Sequence, residues 1–182
     1  ASVTAAIIVL ATVGCDRRAA SPNVVILVTD AMRPDHLGVY GYGRDTSPRL
    51  DALARTATRY ETVYTSAPWT LPAHASLLTG KFSFEHGAHA YEDNSGPERD
   101  VFVSALNKRH LLLSEVLREK GYRTGAFVAN NGYLNPKWKL DRGFDTYQVE
   151  HRNADKLVDL MLTWIGTGEK KPFFLLANLM DT

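Results

Sequence analysis

Two positions in this chain join a reactive side chain to a local setting that can use it. Asp30 closes VVILVT, the apolar run of residues 24–29, and a carboxylate at the end of such a run needs a hydrogen bond, an opposite charge or a metal ion. Thr70 lies in APWTLPAHASLLTG, residues 67–80, where Pro72 and Gly80 frame a helix that opens at the threonine. Thr is a good helix cap, and Pro and Gly are at home at the two ends, so one reading of Thr70 is capping alone. The other is chemical. A helix N-terminus offers free N–H groups and positive potential to an alkoxide and an anionic ester. A divalent metal held by Asp30 would lower the hydroxyl's pKa further and yield a usable nucleophile. His74, four residues after Thr70, shares its side of the helix. From there it can hydrogen-bond the nucleophile or a substrate oxygen, or protonate a leaving group near neutral pH; the alternative is a plain surface histidine.

These residues need a scaffold, and the pattern of the chain describes one. VVILVT is β-branched and continuously apolar, as a central strand buried on both faces would be. Ser47 and Pro48 open a short helix with Leu50, Leu53 and Ala54 on one face, and RYETVY (59–64) alternates like a strand. The helix from Thr70 follows, then a loop-like stretch over 82–108. HLLLSEVLREKGY is an amphipathic helix stopped by Gly121, and TGAFVAN is a second buried strand. After a long loop, ADKLVDLMLTWIGTG carries Leu157, Leu160, Met161 and Trp164 at helical spacing, and FFLLANLM is a third buried strand. Strands alternating with helices predict an α/β domain with a mixed, largely parallel sheet and helices on both faces. Ligands of such sheets sit beyond the carboxyl ends of the strands, where Asp30, Thr70, Asn130 and Asn131 fall and can face one pocket.

Composition narrows the partners. With 21 Lys+Arg against 20 Asp+Glu and no basic stripe, nucleic acid is excluded as a partner. Gly38, Gly41 and Gly43 lack the strand-turn-helix setting of a nucleotide loop and read as loop glycines. The opening ASVTAAIIVLATVGC holds an apolar run of about ten residues, too short to span a bilayer but suited to the apolar core of a signal peptide. It ends in the chain's single cysteine, Cys15, after a small Gly14, the arrangement of a bacterial lipobox. Residues 1–15 thus read as a signal-peptide remnant with a lipidated Cys15, 16–22 as a tether and 23–182 as one domain. An exported protein, periplasmic or at the cell surface and lipid-anchored to a bacterial membrane, is expected.

Taken in order, PNVVILVTDAMRPDHLGVYGYGRDTSPRLDALA, APWTLPAHASLLTG, HG, LREKGYRTGAFVAN, GFDTY and PFFLLANLMDT resemble the N-terminal half of the sulfatase family in the alkaline phosphatase superfamily. The resemblance implies an alkaline phosphatase/sulfatase-like fold that is incomplete at the C-terminus, with further metal ligands beyond Thr182. It implies a metal role for Asp30 and makes Thr70 the nucleophile and a metal ligand, with His74 catalytic and His86 and Asn131 substrate-binding. Ala31 stands at the place of a second family Asp, and His74 at that of the family's Arg. VANNGYL replaces the segment that supplies a substrate-binding Lys and His. In the family's sulfatases a Cys or Ser is oxidised to formylglycine; Thr, whose extra methyl would give a ketone, instead resembles the nucleophile of the superfamily's phosphatases and phosphotransferases. The expected activity is metal-dependent hydrolysis of sulfate or phosphate esters of small molecules or glycans, phosphate slightly favoured. The metal would be calcium in a sulfatase-like site and zinc, manganese or magnesium in a phosphatase-like one. Transfer of a phospho-group to a glycan or lipid, and non-catalytic binding of sulfated or phosphorylated glycans, are the alternatives.

Overall fold

The apolar runs of the sequence become the sheet. A computed structural model describes residues 21–93, 100–151, 153–168 and 170–181. In chain order it contains β1 (Val24–Thr29), α1 (Pro48–Ala54), α2 (Thr70–Thr79), α3 (Ser83–His86), β2 (Ala90–Asp93) and β3 (Asp100–Val103). Then come α4 (Leu113–Glu119), β4 (Arg123–Val128), β5 (Thr146–Val149), α5 (Ala154–Gly166) and β6 (Phe173–Leu179). Four strands form one sheet in the order β1-β6-β4-β5, every pair parallel, while β2 and β3 make a separate antiparallel hairpin.

Alternation along the strands sends side chains to two faces. Val24, Ile26 and Val28 of β1, Phe174 and Leu176 of β6, and Ala126 and Val128 of β4 pack with Leu71, Ala75 and Leu78 of α2. On the opposite face Phe127, Ala129, Leu175 and Ala177 meet Leu157 and Met161 of α5, with Leu160 and Trp164 against them. Helices therefore cover both faces, as the alternating pattern predicts.

The strand order corrects the reading of β1 as central and doubly buried. It is β6 that lies between β1 and β4, and Val25 and Leu27 of β1 are 56% and 53% exposed. The helix on that face, α5, packs over β4 and β6, so among the described residues nothing covers the β1 end. RYETVY forms no strand; Tyr60, Val63 and Tyr64 are exposed, and the segment is held instead through Tyr40 Oη on the Tyr60 carbonyl and Arg59 on the Val39 carbonyl. An alternating segment becomes a strand only where a neighbouring strand takes its backbone groups, and among the described residues none does so here. Conversely, the stretch read as loop over 82–108 contains α3 and the β2–β3 hairpin, where Tyr91 and Phe102 stack at 5.6 Å. TYQV, whose first two residues close another expected loop, is β5, paired with β4. Among the described residues no helix is long and apolar enough to cross a membrane. Cys15 lies outside them.

Candidate active site

Three neighbouring strands deliver three polar side chains to one place. Val28 of β1 and Val128 of β4 both lie opposite Asn178 of β6. The ladder runs on past the strand ends, Asp30 N–H donating to the Leu179 carbonyl at 2.7 Å and Ala129 N–H to the Asn178 carbonyl at 3.0 Å. Asp30, Asn130 and Asn178 each follow a core residue by two positions (Val28, Val128 and Leu176), so the period of two keeps them on the face that α2 covers. Here α2 arrives with its first residue, Thr70.

Thr70 is not the cap. Trp69 holds the cap position with extended backbone (φ −146°, ψ 164°), and Ala73, whose N–H a Thr70 cap would accept, donates to the Trp69 carbonyl at 3.3 Å. Thr70 Oγ1 turns to the strand ends instead: it donates to Asp30 Oδ2 at 3.3 Å and accepts from Asn130 Nδ2 at 3.0 Å. The same Nδ2 donates to Asp30 Oδ2 at 3.1 Å, and Asn178 Nδ2 adds a further donor to that oxygen at 3.3 Å. Asn130 and Asn178 are buried, while Asp30 and Thr70 are part-exposed.

His74 is buried on α2, and its Nδ1–H donates to the backbone carbonyl of Thr70 at 2.9 Å, not to the hydroxyl. Burial pushes its pKa below the usual histidine value, against the Thr70 carbonyl and the Asp30 charge, which raise it. Burial thus favours the neutral imidazole. Its Nε2 is buried with no hydrogen-bond partner among the described residues.

His86 is not a solvent-exposed loop residue. It ends α3, 2% exposed, with Nδ1 accepting from Ala88 N–H at 3.0 Å and Nε2–H donating to Ser76 Oγ at 3.0 Å. Nε2 thereby ties α3 to α2, while Nδ1 holds the turn that follows α3. Asn131 is exposed and accepts from Asn135 Nδ2 at 3.3 Å; of the adjacent asparagines it is Asn130 that enters the site. Asn178 escaped the sequence reading, although a polar residue at the carboxyl end of FFLLANLM is the same signal that singled out Asp30. Ala31 adopts a left-handed backbone (φ 59°) and brings no donor atom. Among the described residues no group of three or more His, Cys, Asp or Glu is placed to hold a metal ion.

The helix-borne hydroxyl, the carboxylate and the two amides thus lie at the carboxyl ends of a parallel sheet, the edge at which ligands of such folds bind. The chain matches the family model described as Sulfatase over residues 22–182, and it belongs to the sulfatase family. It is 33% identical over 131 residues to the N-acetylgalactosamine-6-sulfatase of Rattus norvegicus, covering 69% of this chain and 25% of that protein. The chain thus spans about a quarter of that relative's length. Its fold is similar to a protein solved in complex with its substrate D-glucosamine-2-N,6-O-disulfate (TM-score 0.69, 22% identity, 86% of this chain and 34% of that one). It is similar also to the phosphonate monoester hydrolase of Agrobacterium radiobacter (TM-score 0.66, 18% identity, 88% and 41%).

Proposed function

We propose that this chain carries the nucleophile side of a metal-dependent ester hydrolase in which Thr70 attacks a phosphate or sulfate ester, phosphate being favoured. The observation that carries the reading is the hydroxyl of Thr70 held between Asp30 and Asn130 at the mouth of a parallel sheet. Its proton leaves toward Asp30 Oδ2 as the bond from Oγ1 to phosphorus forms. The bond from phosphorus to the leaving oxygen breaks, and that oxygen departs with the electron pair and takes a proton from solvent. Asp30 returns the proton it took to solvent, and water attacks the phosphothreonine: its hydroxyl bonds to phosphorus, the bond from phosphorus to Oγ1 breaks, and its remaining proton goes to Oγ1. Thr supports this route because oxidation of its side chain ends at a ketone, not at the aldehyde that a formylglycine cycle needs.

The donors present suit a divalent cation in part: Asp30 and Thr70 would hold it, and its other ligands would come from groups outside the described set. When bound, such an ion supplies charge neutralisation and a lowered hydroxyl pKa. The buried Nε2 of His74 is the ring nitrogen left for substrate or ion. A sugar ester as substrate accords with the relatives, and export with lipidation at Cys15 belongs to the same proposal. The test is to mix full-length protein with aryl phosphate and with aryl sulfate, with and without added metal, quench, and map the adduct by mass spectrometry. A phosphoryl group on Thr70 is expected; sulfatase turnover by unmodified Thr70 without phosphatase turnover would sink the preference for phosphorus.

A further inference from the structure

We infer that Asn130 is the hydrogen-bond donor that aims the Thr70 hydroxyl and stabilises the charge on Oγ1 as its proton leaves; this rests on Thr70 being the nucleophile. The argument follows the polarity of the bonds. Asn130 Oδ1 accepts from Tyr133 N–H at 3.0 Å, so the amide cannot flip without breaking that bond, and Nδ2 faces the site. Its two hydrogens have two acceptors, Thr70 Oγ1 at 3.0 Å and Asp30 Oδ2 at 3.1 Å. The backbone N–H of Asn130 donates to Asn178 Oδ1 at 3.2 Å, which orients that second amide so that its Nδ2 reaches Asp30 Oδ2. Each amide is locked by a backbone N–H or by a backbone bond of its neighbour.

The consequence falls on the threonine oxygen. One lone pair of Oγ1 is taken by Asn130, and its single proton is directed to Asp30. The remaining lone pair, and the one freed as the proton leaves, are those left for a divalent cation and for a phosphorus or sulfur atom. When the proton has gone, the Asn130 N–H points at a full negative charge, and a hydrogen bond to a charged oxygen is about twice as strong as a neutral one. The interaction thus strengthens as the reaction proceeds, the condition for lowering a barrier and not merely binding substrate. Asn130 is 9% exposed and lies 60 residues from Thr70 in sequence, so its placement depends on the sheet and not on a mobile loop tip.

The experiment uses full-length protein with an aryl phosphate and measures steady-state rates together with single-turnover phosphorylation of Thr70. Asn130→Ala removes the donor. Asn130→Asp also removes it but keeps the oxygen that accepts from Tyr133 N–H. Both are expected to lower kcat and the phosphorylation rate about 100- to 1000-fold, the loss typical of a missing oxyanion donor, with KM changed less than about threefold. A folded Asn130→Ala protein that keeps kcat within about threefold of the parent overturns the inference. If the alanine variant does not fold, the same threshold applied to Asn130→Asp decides. Thr70→Ala separates the two claims: full activity there removes the nucleophile reading itself, whereas an inactive Thr70→Ala beside an active Asn130→Ala removes only the role of Asn130.

Discussion

Asn130 and Asp30 stand 100 residues apart in the chain, yet Nδ2 of one donates to Oδ2 of the other at 3.1 Å. The contact exists because β6, which joins the sheet last in sequence, lies between β1 and β4 and brings both strand ends to the flanks of Asn178.

Asn178 is accordingly the structural centre of the site. It is fully buried, its Oδ1 satisfies Asn130 N–H and its Nδ2 contacts Asp30. Removing it strands a buried backbone donor, which costs about 1–3 kcal/mol. Urea unfolding of Asn178→Ala is expected to show that loss in the midpoint with an unchanged slope.

A second expectation concerns the metal. Added divalent cation should raise the melting temperature of full-length protein, since a ligand at about 100 times its Kd adds ~2.7 kcal/mol. In Asp30→Asn the shift should vanish, because an amide replaces the charged oxygen that would hold the ion. Thermal unfolding over a metal titration checks both.

Thr70→Ser keeps the hydroxyl between Asp30 and Asn130 and should retain phosphate-ester turnover within about tenfold. Thr70→Ala should lose at least about a thousandfold, as removal of a nucleophile does. Because Thr70 does not cap α2, its replacement should leave helix content by circular dichroism unchanged.

His86 predicts a pH dependence of stability. Burial is the main cause lowering its pKa, the Pro72 carbonyl opposing it, and Nδ1 must stay unprotonated to accept from Ala88 N–H. The unfolded chain, titrating near 6.5, binds the proton more readily, so stability is full above that value and falls as the pH drops below it. Each such histidine contributes up to about 1.4 kcal/mol per pH unit. His86→Asn offers an oxygen to Ala88 N–H without a titrating ring; its unfolding free energy should fall less between pH 7 and 5 than the parent's. Its kcat should match the parent within about threefold, because His86 ties α3 to α2 and touches none of Asp30, Thr70 and Asn130.

The chain's local pattern was enough for the α/β class, the strands at 24–29, 123–128 and 173–179, the helix from Thr70, and for singling out Asp30 and Thr70, which the fold brings within hydrogen-bond distance. Each rests on information within a few residues: a β-branched run, a helical period, a turn residue or a polar group where an apolar strand stops. RYETVY and TYQV show the limit of that information. RYETVY alternates like a strand and forms none, whereas TYQV, whose first residues read as loop, has a strand beside it.

What the sequence could not contain is which strands become neighbours. Strand order made β6 central and left Val25 and Leu27 exposed on β1; register placed Asn178 against both flanking strands and selected Asn130 over Asn131. The period of two assigns a side chain to a face but not to a partner. The direction of the Thr70 hydroxyl was decided the same way. Its helix was legible in ten residues, but whether it caps that helix or turns to Asp30 and Asn130 depended on groups 40 and 60 positions away, assembled only in the folded sheet.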